Sequence, residues 1–241
     1  MSSLLWIDVE STAFGDKAAT IEIALYPVIN GEEKEPFHSY IRPHEGATIS
    51  PEALTVNKID PKLFPTFPTV NEVVENIIKY VDQFETVFSL AGHKVSFDKG
   101  HLFRMFTRTA HYSDYVVRFD SKEVCTLKMA EVIFKGKVTK KPKSNKLGDL
   151  CEYFGIDLKN AHTADADIKA TMQLYNHLEG LMPKLIKPVN NMTYHQKRSR
   201  YMAADYLTIN PEGDVYINNK CTQDQDAMIF ALNELWRIYV K

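Results

Sequence analysis

A chain of 241 residues, 44% hydrophobic and 25% charged, is long enough to bury a sizeable core as one domain, or as one domain with an appendage. The composition is ordinary for a globular protein, and a net charge of −2 excludes a histone-like or polybasic binder, so any contact with nucleic acid must come from a local basic patch. The cysteines, Cys125, Cys151 and Cys221, are far apart, odd in number and without a C-x-x-C pair, which argues against zinc and disulfide frameworks and fits a reducing, cytoplasmic setting.

In chain order, the first third reads as strands. Residues 4–10, 18–28 and 36–42 form an antiparallel meander, with Asn30-Gly31-Glu32 as the tight turn between the second and third. Thr69 and Glu72 form a T-x-x-E capping box after Pro68. Val70, Val73, Val74, Ile77, Ile78 and Val81 then recur on one face of the helix it starts. Residues 86–91 are a mostly apolar run, short enough for a buried strand, which Gly92 ends. Residues 96–111 read as a helix with Phe97, Leu102, Phe103, Met105 and Phe106 as core candidates, 116–125 as a strand and 127–134 as a helix. Leu147, Leu150, Cys151 and Phe154 mark a short helix stopped by Gly155, and residues 164–181 a long one that ends near Pro183. Strands first, then alternating helix and strand, then helices, is the order of an α/β layer fold with a mixed sheet flanked by helices.

Residues 184–241 are expected to form a small α+β appendage to a domain of residues 1–183. A polar linker with the basic cluster Lys197, Arg198 and Arg200 leads to a hairpin around Pro211-Glu212-Gly213. An amphipathic helix carrying Met228, Leu232, Leu235, Trp236 and Tyr239 closes the chain. No stretch is long and apolar enough to span a membrane, and Met1-Ser2-Ser3 runs into a strand without a basic leader, so neither a membrane span nor a signal peptide is expected.

Asp8 and Glu10 sit two residues apart in Leu4-Leu5-Trp6-Ile7-Asp8-Val9-Glu10. Residues i and i+2 of a strand point to one face. Two carboxylates held close together repel and resist desolvation, a conflict that a hard divalent cation such as Mg²⁺ relieves through oxygen ligands. Alone, the pair could equally be a solvated strand end. Two further segments carry acids in informative company. Ala91-Gly92-His93-Lys94-Val95-Ser96-Phe97-Asp98 puts an acid at the start of a helix just after a strand, a position that helix termini favour in any case. Ala161-His162-Thr163-Ala164-Asp165-Ala166-Asp167 sets a histidine before a helix and two rival acids near its start.

In order, these segments resemble the motifs D-x-E-[TS]-T-G, H-N-x-x-F-D and H-x-A-x-x-D of the DEDD 3′–5′ exonucleases, the family that includes the proofreading epsilon subunit of bacterial DNA polymerase III. The likeness extends to Ile21-Glu22-Ile23-Ala24, Ile49-Ser50-Pro51-Glu52-Ala53-Leu54, Leu147-Gly148-Asp149-Leu150 and Gly155-Ile156, and so covers about residues 4 to 182. Ala13 stands where the family has glycine and Lys94 where it has asparagine; neither position supplies a metal ligand there, and both bear on the grip on the terminal nucleotide. Thr163 stands where the family's other branch has tyrosine, and His162 lies five residues before Asp167, so the chain resembles the histidine (DEDDh) branch. That register favours Asp167 over Asp165.

The resemblance implies a ribonuclease H-like fold and a site for two Mg²⁺ or Mn²⁺ ions. Such ions, roughly 3.5–4 Å apart, stabilise the attacking and leaving oxygens of a phosphodiester together. Asp8, Glu10 and Asp167 are expected around the more tightly held ion, Asp8 bridging, with Asp98 acting mostly through water. His162 is the implied general base, since an ordinary pKa of about 6.5 suits proton removal near neutral pH. Val9, Ser11, Thr12, Ala13, Phe97 and His162 are expected to line the terminal-nucleotide pocket. The implied reaction is removal of 5′-mononucleotides from the 3′ end of single-stranded or frayed DNA.

Lys135, Lys137, Lys140, Lys141, Lys143 and Lys146 form a basic stretch before the third motif. It is either a solvated loop or a grip on the phosphate backbone, for which Lys140, Lys141, Lys143 and Lys146 are the candidates. His93 and Glu22 are read as structural. Three other functions stay open: an exoribonuclease trimming RNA 3′ ends, a proofreading subunit within a polymerase or other replication or repair assembly, and a silent nucleic-acid-binding module.

Overall fold

Alternation along the first strand sets up the rest of the molecule. In β1 (Ser3–Ser11), Leu5, Ile7 and Val9 point to one face and are buried, while Trp6, Asp8 and Glu10 share the other. The computed structural model describes residues 3–135, 140–158 and 163–185, and three short strands beyond them. β2 (Thr20–Ile29) runs antiparallel to β1, from Ser3 opposite Ile29 to Glu10 opposite Glu22, and the register shifts between Glu10 and Ser11. Asn30 and Gly31, at φ 55° and 85°, make the left-handed turn that a two-residue hairpin requires. The chain returns as β3 (Glu32–Glu33), and β4 (Phe37–Tyr40) pairs with Glu22–Leu25 of β2. β5 (Phe88–Gly92) joins β1 in parallel, and β6 (Phe119–Cys125) joins β5 in parallel. The six-stranded sheet, ordered β3-β2-β1-β5-β6 with β4 also on β2, is mixed, as the element order predicts.

Two helical layers cover the two faces. α1 (Pro51–Asn57) and a 3-10 helix (Pro61–Thr66) lead into α2 (Val70–Asp82), which opens on the expected capping box of Thr69 and Glu72. α2, α3 (Ser96–Arg108) and α4 (Tyr112–Arg118) bury Val73, Ile77, Leu102, Phe106 and Tyr115 against Leu5, Ile7, Ile23 and Leu25. α5 (Thr126–Lys135), α6 (Leu147–Phe154) and α7 (Ala164–Leu185) bury Met129, Ile133, Leu150, Ile168 and Leu174 against Trp6, Ala24 and Tyr26. The face that holds Asp8 and Glu10 is therefore the face that α7 covers.

Two differences from what the sequence predicts have identifiable causes. The strand expected from residue 116 starts at Phe119, and Tyr112–Arg118 is helical instead. Val116 and Val117 raise β-propensity but are exposed, so their preference carries little weight. Buried Tyr115 and the Arg118 ion pairs with Asp114 and Asp82 favour the helical turn. α1 and the 3-10 helix are too short to carry a periodic signal, and were not foreseen. α7 ends at Leu185, two residues past Pro183 and so near the expected end.

The expected hairpin is present as β7 (Leu207–Ile209) against β8 (Val215–Ile217), with β9 (Lys220–Cys221) added. The Lys197, Arg198 and Arg200 cluster and the helix expected around Trp236 lie outside the described residues. Cys125 and Cys151 are free and buried. Among the described residues, no helix is long and apolar enough to cross a membrane.

Candidate active site

Asp8 and Glu10 share the face of β1 that meets the start of α7, and Asp167 lies in the first turn of that helix. One carboxylate oxygen from each of the three lies within 4.8 Å of the others, and all three side chains are half-buried. Asp98 comes from the first turn of α3 on the opposite layer and is buried; its Oδ1 accepts the Val9 N–H at 3.2 Å, which ties it to β1 between Asp8 and Glu10. Asp165, the rival acid, is engaged elsewhere: it accepts from the Tyr26 hydroxyl and pairs with Lys169 at 2.8 Å. His162 lies outside the described residues, and the helix that follows it begins at Ala164.

The electrostatics are those of an uncompensated anionic cluster. Burial, then Asp98, Asp167, Glu10 and Glu22 in turn, holds the Asp8 carboxyl well above the usual carboxylate range. Burial, Asp167 and Glu22 push Glu10 up to about 8. Burial also raises Asp98, against the stabilising Val9 N–H and the charge of Lys94. A divalent cation supplies the charge this cluster lacks, and an all-oxygen set suits Mg²⁺ or Mn²⁺. The residues present therefore fit a metal ion.

Glu22, expected in a strand near the site, adds its charge to the cluster. It stands directly opposite Glu10, is 3% exposed, and accepts from His38 Nε2 at 2.8 Å. The signal was available: an acid inside the apolar run Ile21-Glu22-Ile23-Ala24 has to face something polar.

The loop after β1 is held from below. Thr12 is fully buried; its hydroxyl donates to Thr48 O at 2.6 Å and accepts from Ala19 N at 2.9 Å, while its carbonyl accepts from Ser50 N at 2.7 Å. Thr12 thus faces inward, and its expected part in the pocket reduces to fixing the loop. Ser11 donates to Ala13 O, and Asn57 Nδ2 donates to Ser11 O. Residues 48–57, including the segment Ile49-Ser50-Pro51-Glu52-Ala53-Leu54, brace this loop. Phe14 beyond it is 88% exposed and sets its ring edge towards Phe97 at 6.3 Å, and Phe97 in turn contacts His101 at 4.6 Å. No sequence motif pointed to Phe14.

His93 is built into the framework. Its Nδ1 meets the Thr126 hydroxyl at 2.9 Å, a backbone hydrogen bond with Asn145 opposes a shift that burial drives down to about 4, and the ring is neutral at physiological pH. Lys94, next to it, adopts φ 62°, the left-handed conformation that asparagine accepts more readily than lysine. Of the lysine stretch, Lys141 and Lys143 line an open groove with Phe134 and Asn145, Lys143 pairs with Glu152, and Lys146 stands just before α6 without a side-chain capping bond. Lys140 gives its carbonyl to Tyr153, and Lys137 lies outside the described residues.

A mixed sheet with acids converging from β1 and α7 defines a ribonuclease H-like nuclease architecture, and known structures share it. The fold is similar to Escherichia coli Exonuclease I in complex with a dT13 oligonucleotide, with a TM-score of 0.66 at 16% identity, covering 87% of this chain and 47% of that one. It is also similar to the nuclease domain of 3′hExo, a DEDDh family member, bound to rAMP, with a TM-score of 0.59 at 17% identity, covering 74% and 92%. The chain belongs to the RNase T exonuclease family, whose model matches residues 5–175. DNA polymerase III subunit epsilon of Pasteurella multocida is 28% identical over 183 residues, 70% of this chain and 65% of that protein. The 3′-5′ exonuclease DinG of Staphylococcus aureus is 28% identical over 179 residues, 72% of this chain but 18% of that protein.

Proposed function

We propose that the protein is a Mg²⁺- or Mn²⁺-dependent 3′–5′ exonuclease of the DEDDh type that shortens single-stranded or frayed DNA and releases 5′-mononucleotides. The observation that carries this reading is the convergence of Asp8, Glu10 and Asp167 within 4.8 Å, with Asp98 anchored on the Val9 N–H beside them. Asp8, Glu10 and Asp167 would hold one ion and Asp98 would assist a second through water. Bound ions supply charge stabilisation for the attacking and leaving oxygens.

The chain's own residues do the rest. Asp98, buried and fixed, sets the spacing between α3 and β1. Phe14 and Phe97 offer aromatic surface on which a terminal base can stack, an interaction tolerant of sequence. Ser11 lines the approach, Val9 and Ala13, whose side chains are buried, contribute backbone alone, and His162, before the first turn of α7, takes the proton of the attacking water. Lys140, Lys141, Lys143 and Lys146 are the phosphate contacts on the α6 side. The epsilon relative supports a polymerase or repair assembly as the working context, in which the residues after α7 would be the docking element.

Digestion of 5′-labelled DNA and of its RNA counterpart, in Mg²⁺, Mn²⁺ or EDTA, tests the reading. We expect a ladder shortening from the 3′ end that needs metal and falls at least about 100-fold in Asp167→Ala. The faster substrate names the sugar. Intact binding with no digestion by the wild type would sink the proposal in favour of a silent module.

A further inference from the structure

The described residues hold four arginines, and only Arg118 is engaged by carboxylates, those of Asp82 and Asp114. The other three, Arg42, Arg104 and Arg108, line a single cleft together with His44 and His101. None of the three makes an ion pair with a described carboxylate. Arg42 donates to the Phe67 and Pro65 carbonyls, which orients its guanidinium without neutralising it. Glu72 feels the charge of Arg42, but its carboxylate already accepts the Thr69 N–H and hydroxyl. His44 meets the Glu45 carbonyl through Nδ1 at 2.9 Å, and its buried Nε2 has no partner. His101 is 1% exposed and meets the Thr20 hydroxyl through Nδ1 at 2.9 Å.

The cleft begins where the acidic site ends. Thr20 is paired with Ser11, the residue after Glu10. His101 lies one turn beyond Asp98 on α3, and Arg104 and Arg108 follow roughly 9 and 15 Å along the helix from Asp98. The enclosed space is about 10 Å³, enough for one oxygen-sized group. A phosphate fits such a site by lending one non-bridging oxygen to the interior while its remainder lies at the mouth. There Arg42 and Arg108, both exposed, can close on it.

We propose that this cleft binds a phosphate of the nucleic-acid substrate outside the linkage being cut. Clustered guanidinium groups without carboxylates repel one another, and a bidentate phosphate removes that cost. A nucleic acid whose 3′ end sits at the acids carries its other phosphates away from them over the protein surface. In a chain of net charge −2, this is a local basic patch of the kind such binding requires, on the α3 side, besides the lysines on the α6 side. The identity of the anion's carrier rests on the exonuclease reading; the anion site itself does not.

The test is equilibrium binding, in EDTA so that nothing is cut, of a short 5′-labelled single-stranded DNA and of the same strand annealed to a complement with a frayed 3′ end. Affinity is followed across a salt series for wild type, Arg104→Ala/Arg108→Ala and Arg104→Lys/Arg108→Lys. Loss of two phosphate contacts should flatten the slope of log affinity against log salt by about 1.4, or roughly 0.7 per contact, and weaken low-salt binding about tenfold. The lysine pair should keep most of the slope. Loss on both ligands assigns the phosphate to the strand being shortened, and loss confined to the duplex assigns it to the complement; either sustains the proposal. An unchanged slope in the alanine pair, with an unchanged thermal midpoint, would overturn it, as would a lysine pair that loses as much as the alanine pair. Binding that depends on these arginines in a protein that digests nothing would leave the anion site standing and remove the exonuclease reading alone.

Discussion

Glu10 sits among Asp8, Asp167 and Glu22 with its carboxyl pushed from 4.5 to about 8. Below about 4.5 it is protonated in folded and unfolded chains alike. Between there and about 8 the unfolded chain releases a proton that the folded chain keeps, so the metal-free protein loses stability as pH rises through this window. A bound divalent ion cancels that loss. The thermal midpoint should therefore rise more on adding Mg²⁺ at about pH 8 than at about pH 6. Equal shifts at both values would count against a metal at these acids. Lys94 gives a second prediction at this scale. Its left-handed backbone costs stability that asparagine recovers, so Lys94→Asn should stabilise the protein by about 0.5–1 kcal/mol in denaturant unfolding. No gain would mean that the Lys94 ammonium, which favours the ionised Asp98, is worth as much as the strain. The acids that converge were legible in the sequence through the order and register of three motifs, since strand period and helix first turn alone leave each of them an ordinary surface acid. The opposition of Glu22 to Glu10 was not, because register between strands belongs to no single segment.

Gly92 ends β5 beside the strand that carries the first two acids. A Cβ there would meet the Ile7 carbonyl oxygen at 2.9 Å, and that atom is backbone with little room to move. Gly92→Ala should force β5 away from β1 next to Asp8, costing about 1–3 kcal/mol in stability and weakening Mg²⁺ affinity in the same variant. Stability lost with metal affinity intact would show that the strand can shift without disturbing Asp8. At the element scale the long helices were readable wherever caps and apolar faces agreed, as in α2 with Thr69 and Glu72. α4 was misread because Val116 and Val117 favour strands locally, while the contacts that win, Arg118 with Asp82 above all, are 36 residues apart.

At the scale of the whole molecule, the buried members of the hydrophobic clusters among the described residues run from Leu5 to Leu178 and already close both faces of the sheet. We expect a chain ending at Leu185, where α7 ends, to unfold cooperatively and to retain metal-dependent digestion. Loss of cooperative unfolding on that truncation would assign the remaining residues a structural part in the nuclease. Loss of co-purification with a polymerase, with digestion intact, would assign them a docking part.

By itself the sequence determined the mixed α/β fold and the three acid-bearing segments, because both are written in short-range patterns: alternation in strands, 3.6-residue periodicity in helices, and motif order along the chain. Motif register favoured Asp167 over Asp165, and tertiary structure supplies the physical reason. Asp167 and Asp165 are two residues apart in the same helical turn, yet Asp167 turns to Asp8 and Glu10 while Asp165 turns to Tyr26 and Lys169. It also decided that Arg42, from beyond β4, shares a cleft with Arg104 and Arg108 from α3. Side-chain direction on a helix is set by the surface it packs against, and residues far apart in the chain become neighbours only through the sheet that both helical layers cover.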